Sequence, residues 1–185
     1  MSYLGDICVL VVTATLAASV VQHLVGFRGF VADIGAQRMV PAGLAAPLAT
    51  AVILAEFVLA AGVLMLLVGA PAPSALRAAA GILPAVLFAS YGIFAAALVR
   101  FRPGAPCACS AAGRPASLWT VVRAGLLTSV ALGSLTAGDI AELPAAELSS
   151  VIIISVVSAV AIWVLPDALH VPGWRGSADK YAEVR

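Results

Sequence analysis

The sequence predicts an all-α integral membrane protein, a helical bundle with five transmembrane helices. Of its 185 residues, 63% are hydrophobic and 10% are charged, whereas soluble domains are roughly half apolar and a quarter charged. Apolar segments of the length that crosses a bilayer, about 20 residues, recur five times along the chain. A soluble fold would have too few polar residues to cover its surface, so lipid must be the solvent.

The predicted helices cover residues of about 4–25, 44–68, 76–99, 117–137 and 149–169. Trp163 near the end of the last helix is typical of a side chain at the headgroup level. The fourth helix is the weakest prediction because Arg123 lies inside it. Pro84 is expected to bend the third helix. Without the last span, the bundle would have four helices.

The chain divides into a four-helix core at 1–137, an acidic loop with the fifth helix at 138–169, and a polar tail at 170–185. Between the first two spans, residues 26–41 mix charged side chains with aromatic and aliphatic ones. This mixture predicts a short amphipathic helix at the membrane interface.

The basic residues predict the orientation of the bundle. With five spans, nine of the ten Lys and Arg residues fall on one membrane face and Arg77 alone on the other. Because cytoplasmic loops retain basic residues, we expect the N-terminus outside, and the cysteine loop before the fourth helix and the C-terminus in the cytoplasm. The net charge of +1 gives no argument for a nucleic-acid partner.

The segment Cys107-Ala108-Cys109 is the sharpest local feature. Two thiols one residue apart can close a small strained disulfide, and strain makes such a pair exchangeable. Two other interpretations stay open: inert thiols, or half of a metal site, although zinc takes four ligands and only two are local. The loop is expected to lie outside the helix-packing faces. Cys8, inside the first helix, is expected to be a small packing residue.

Four further residues are candidates for chemistry. Glu56 lies near the middle of the second helix, where an ionisable group costs a few kcal/mol unless it is paired or protonated. The topology brings His23, Tyr91 and Arg123 toward the membrane half that holds the cysteines. Glu56 with Arg123 is predicted to form a buried polar contact or, with Tyr91, a site that faces a quinone.

Simpler roles remain open for the same residues. Glu56 could orient the helices through a structural hydrogen bond, and Arg123 could extend its charged end to the interface. His23 is a candidate base for Cys107 or Cys109. It could equally be an interfacial residue that contacts headgroups.

The chain resembles the methylamine utilisation protein MauE family, which is distantly related to the DoxX-like membrane proteins, over about residues 1–137. The resemblance rests on the order of Met39-Val40-Pro41, Glu56, Cys107-Ala108-Cys109, Gly113-Arg114-Pro115 and Leu118-Trp119. In that family the pair usually reads Cys-Gly-Cys followed by Phe-Gly. Here Ala108 replaces the glycine, which reduces the backbone freedom available for closing the small ring, and Ser110-Ala111 stand in place of Phe-Gly.

The resemblance implies a membrane protein that assists maturation of the methylamine dehydrogenase small subunit. It would support disulfide formation beside a thioredoxin-like partner. Thiol chemistry for exported proteins conflicts with a cytoplasmic cysteine loop. Three explanations stay open: the loop re-enters the membrane, electrons cross the bundle through a second carrier, or the orientation is reversed.

The leading hypothesis is therefore a thiol-disulfide redox partner with Cys107 and Cys109 as the exchanging pair, an unidentified cofactor for which a quinone is the candidate, and a thioredoxin-like or other protein partner. A second hypothesis is a non-catalytic subunit that anchors a larger membrane complex. A third is a transporter that uses Glu56 as its coupling group, although no inverted repeat is visible.

Overall fold

The computed structural model describes residues 3–67, 73–108, 115–137 and 144–168. These residues form six α-helices: α1 (Tyr3–Val25), α2 (Phe27–Gln37), α3 (Ala45–Leu67), α4 (Ser74–Phe101), α5 (Leu118–Gly133) and α6 (Ala145–Ala168). All except α2 are long and apolar enough to cross a membrane. The predicted all-α bundle with five spans is thus confirmed.

Most helix boundaries lie within two residues of those expected. The largest differences are of four residues: α5 ends at Gly133 rather than at 137, and α6 begins at Ala145 rather than at 149. The second of these has a visible cause in the backbone of α6. Its first turn forms early because the carbonyl of Pro144 accepts hydrogen bonds from the backbone N–H groups of Glu147 and Leu148. Glu147 therefore belongs to the helix rather than to the acidic loop. α4 continues through Pro84 without a break in the assigned helix.

Helix α1 lies at the centre of the bundle, against α3, α5 and α6, while α4 packs most extensively on α5. α1 and α6 run in the same direction, since Tyr3 bonds Glu147 and the Ser155 hydroxyl reaches the carbonyl of Ile7 one to two turns farther on. The main core is apolar and is built from α1, α4 and α5, with Val12, Leu16, Ala85, Phe88, Leu127 and Ala131 buried in it.

At one end of the bundle, which we call the glycine end, helix backbones approach very closely. A Cβ atom on Gly5 would overlap the backbone of Ala137, one on Gly81 would overlap the Leu135 side chain, and one on Gly133 would lie 2.9 Å from the sulfur of Cys8. Small residues allow this approach in lipid, where packing rather than water drives helix association. The glycine end therefore has no room for an added side chain at these three glycines.

At the opposite end, α2 packs along the first half of α3. Phe30 and Ile34 of α2 are buried together with Ala45, Ala49 and Ile53 of α3. The expected amphipathic helix is thus present, and its apolar side covers a part of α3 that extends past the end of α1. Its C-terminus is closed by Arg38, whose positive φ of 52° ends the helical pattern.

The two described parts of the loop between α4 and α5, residues 102–108 and 115–117, lie side by side next to α2. They are joined by a hydrogen bond of 3.0 Å from the N–H of Ala116 to the carbonyl of Ala105. The side-chain amide of Gln37 donates to the carbonyl of Pro106, also at 3.0 Å. Cys107 is 2% exposed, so the expectation that this loop lies outside the packing faces is wrong. A capping box between Ser117 and Thr120 then starts α5.

Candidate functional site

Three helices meet around the carboxyl group of Glu56. Its side chain, at the middle of α3, is 1% exposed. Oε1 accepts a hydrogen bond of 2.8 Å from the Ser19 hydroxyl of α1 and one of 2.9 Å from the Tyr91 hydroxyl of α4. Glu56 therefore faces the bundle and is partnered there, which is how a polar group at that depth is tolerated.

The second carboxyl oxygen of Glu56 is not satisfied in the same way. Oε2 is buried and has no hydrogen-bond partner among the described residues. Its neighbour is Nε2 of His23, at 3.8 Å. That distance is too long for a hydrogen bond but close enough for strong attraction if the imidazole is protonated. An unsatisfied buried atom carries a free-energy cost, so it marks a site where structure serves something other than stability.

His23 connects this carboxylate to α2. Its ring, in the last turn of α1, stacks on the ring of Phe30 with the centroids 4.0 Å apart and the planes at 19°. The residue is 7% exposed. His23 is therefore buried between Glu56 and Phe30.

A cleft of about 770 Å³ opens at this end of the bundle. Its walls come from the end of α1, the first half of α2 and the cysteine segment, and they include His23, Phe30 and Ala108. Ala108, which follows Cys107 in the sequence, therefore borders the same space as His23. Arg28 and Asp33 add charge to the walls. Partial burial raises the pKa of the Asp33 carboxyl above its ordinary value.

The three cysteines have different surroundings. Cys107 is buried in the loop beside Ala108, whereas Cys109 lies outside the described residues. Cys8 is buried in α1 at the glycine end, close to Gly133. This placement agrees with the packing role expected for Cys8.

Arg123 lies on α5 and contacts α6. Its guanidinium is 4.3 Å from the ring centroid of Trp163, so α5 holds α6 through a cation–π contact. The contacts of Glu56 in the described part of the chain are with Ser19, His23 and Tyr91. The polar contact expected between Glu56 and Arg123 stays a prediction.

Sequence reasoning missed two residues of this region. Ser19 is four residues before His23, so both lie on one face of α1, and that spacing was the available signal. Gln37 could have been noticed as a long amide side chain at the end of an amphipathic helix. Its partner, a backbone carbonyl 69 residues later, left no sequence signal.

Comparisons with known proteins place the chain in a family. No curated protein and no solved structure gives a significant match. Residues 1–137, however, match the family described as methylamine utilisation protein MauE. The matched region contains α1 to α5, with Glu56, His23 and the cysteine segment, and it ends before α6. Since it covers well over half of the chain, this protein is a multi-pass membrane protein of the MauE family.

Proposed function

We propose that this protein is a membrane thiol-disulfide exchange partner, in which Cys107 and Cys109 exchange electrons with a cysteine pair of another protein. The observation that carries the proposal is the shared cleft, which is bordered both by Ala108 between the cysteines and by His23. A titratable base beside a dithiol is the arrangement that thiol chemistry needs. The MauE family membership supports the same assignment.

When this protein is the oxidant, the exchange takes place in two steps. A thiolate of the partner attacks the Cys107–Cys109 disulfide and forms a mixed disulfide, and one cysteine of the pair is released as a thiol. The second thiolate of the partner then attacks the mixed disulfide. The partner leaves with a disulfide, and Cys107 and Cys109 are left as two thiols. Two electrons and two protons have passed to this chain.

His23 would move the protons within each step. It accepts the proton of the attacking thiol and returns it to the departing thiolate, which leaves the imidazole unchanged. Resetting the pair requires an acceptor of two electrons and two protons, for which a quinone or a second protein disulfide is suitable. Either co-reactant would accept hydrogen from the same two sulfurs.

The partner is proposed to be a thioredoxin-like protein that reaches the cleft from the α2 side. The hydrogen bond from Gln37 to Pro106 supports placing the cysteine segment on that side. The bias of basic residues supports a cytoplasmic location for the cysteine segment. Arg28 and Asp33 on the cleft walls offer both signs of charge to a docking protein.

One observation favours the second candidate function, a non-catalytic subunit of a larger membrane complex. Because Cys107 is 2% exposed, the sulfur of a partner protein can reach it only if the loop opens. A subunit that works by docking needs no accessible thiol. The two candidates therefore differ in what the cysteines must do in cells.

Thiol trapping in intact cells tests the proposal. Membrane-permeant and impermeant alkylating reagents, read by mass spectrometry, report the redox state and the membrane side of Cys107 and Cys109. We expect the pair to occur in both redox states, and Cys107→Ser with Cys109→Ser to abolish exchange while the Cys8→Ser control retains it. A wild-type pair that stays reduced under oxidative challenge, together with a double variant that keeps its protein partners, would leave the docking subunit as the function.

A further inference from the structure

The carboxyl group of Glu56 is asymmetric in its surroundings. Oε1 receives two hydroxyl hydrogen bonds, from Ser19 and Tyr91. Oε2 receives none within the described chain and faces Nε2 of His23 at 3.8 Å. A carboxyl group that only joined helices would gain more by satisfying both oxygens. This arrangement instead fixes one oxygen and leaves the other to the imidazole.

We propose that Glu56 is a positioning residue, held by Ser19 and Tyr91, that stabilises positive charge on His23 and thereby sets the reactivity of Cys107, whose neighbour Ala108 borders the same cleft. The inference rests on the proposed thiol exchange and deepens it. Glu56 does not itself touch the sulfur atoms. It acts through His23, which borders the cleft together with Ala108.

The physical reason is the cost of charge in a buried place. When His23 accepts a thiol proton it becomes a cation with little water around it, and an unpaired buried cation is strongly unfavourable. A carboxylate at 3.8 Å lowers that cost. The two hydroxyl donors hold Oε1 in place and so fix the direction in which Oε2 faces the imidazole. The imidazolium in turn stabilises a neighbouring thiolate, which is the reactive form of cysteine.

The groups facing His23 come from every neighbouring element. Glu56 is on α3, Phe30 stacks on the ring from α2, and Arg28 and Asp33 lie on the cleft walls. Ala108 lies on the same cleft wall as these residues. Among these groups, Glu56 is the one whose carboxyl oxygen, Oε2, lies opposite Nε2 of the imidazole. During exchange, the proton passes from thiol to His23 and back to the departing thiolate, so Glu56 gains and loses no proton.

The experiment measures the alkylation of Cys107 and Cys109 by iodoacetamide as a function of pH. The full chain is reduced and held in phospholipid nanodiscs, and each cysteine is quantified by mass spectrometry. Glu147→Gln is the matched control, because Glu147 also accepts a tyrosine hydroxyl hydrogen bond but lies at the glycine end. Glu56→Gln removes the charge while keeping the size of the side chain.

We expect Glu56→Gln to lower the alkylation rate at pH 7 about tenfold and to move the pH of the half-maximal rate up by about one unit. Glu147→Gln should leave both quantities unchanged. Tyr91→Phe and Ser19→Ala, which keep the carboxylate, should move the profile in the same direction by less. These two variants also keep the test valid if Glu56→Gln fails to fold.

A pH profile that responds equally to Glu56→Gln and Glu147→Gln would overturn the proposal and make Glu56 a structural residue. The outcome is separable from that of thiol exchange. If the pair never cycles in cells but the profile shifts, then the exchange function fails and the positioning role stands. If the pair cycles and the profile does not shift, then the exchange function stands and the positioning role of Glu56 fails.

Discussion

The two ends of this bundle contain similar residues in opposite environments. Each has a buried cysteine, Cys8 at the glycine end and Cys107 at the cleft end. Each also has a tyrosine that donates to a glutamate: Tyr3 to Glu147 at 2.8 Å and Tyr91 to Glu56 at 2.9 Å. The first pair is exposed and the second is buried. Residue type alone therefore does not distinguish the two ends.

The difference lies in free space and in unsatisfied polar atoms. At the glycine end, an atom added to Gly5 meets the backbone of Ala137. At the cleft end there is an open volume of about 770 Å³ beside His23, and a buried oxygen of Glu56 lacks a hydrogen bond. We infer that the glycine end supplies stability, whereas the cleft end gives up some of it for chemistry.

The largest effect is expected from filling the glycine end. Gly5→Val should destabilise the protein by about 3 kcal/mol, because the new side chain overlaps backbone that cannot move aside as a flexible side chain would. Thermal unfolding of the purified protein in nanodiscs measures this loss. Gly125→Ala is the control: the added methyl group meets open space, so the variant should be neutral or slightly more stable. Equal stability of both variants would contradict a tightly packed end.

A smaller effect is expected from the two tyrosine–glutamate pairs. Tyr91→Phe should cost about 1 to 2 kcal/mol, since it removes a donor from a buried carboxyl group. Tyr3→Phe should cost much less, since water replaces the lost donor at an exposed pair. Thermal unfolding of the two variants under one condition compares them. If Tyr3→Phe proved the more costly, the assignment of buried and exposed roles would have to be reversed.

The sequence predicts the spans because length and hydropathy suffice for them. Residues with too few charges to face water must cross lipid, and this decides α1, α3, α4, α5 and α6 without any tertiary information. The amphipathic α2 follows from its mixed residues in the same way. These are properties of single segments, which a sequence contains in full.

Pairing between helices is harder to predict because it depends on their relative depth. From the sequence, His23 lies near the end of one helix and Glu56 near the middle of another, about half a bilayer apart. The structure brings them to 3.8 Å because the first half of α3 extends beyond α1 and packs on α2. In the same way, Arg123 of α5 contacts Trp163 of α6, and no local sequence pattern predicts that these two helices are neighbours. Packing of the whole bundle, not local pattern, decides these partners.

Where the cysteine loop is tied to α2, the expected effect on stability is no larger than that of Tyr91→Phe. Gln37→Leu removes the hydrogen bond to the carbonyl of Pro106 and should cost about 1 kcal/mol. Alkylation of Cys107, which is 2% exposed, should nevertheless become several-fold faster, because the loop must open for the reagent to reach the sulfur. Mass spectrometry of timed alkylation, alongside thermal unfolding, measures both quantities.

The chain's other glutamine provides the control for this variant. Gln22→Leu, on the wall of the same cleft, makes the same chemical change without breaking the tie to the loop, and should leave Cys107 alkylation unchanged. If Gln37→Leu lowered stability as much as Gly5→Val, the loop would be part of the core and the two ends would not differ in kind. Faster alkylation at nearly constant stability would instead mean that a single polar contact restrains the loop at the cleft end, whereas backbone packing fixes the glycine end.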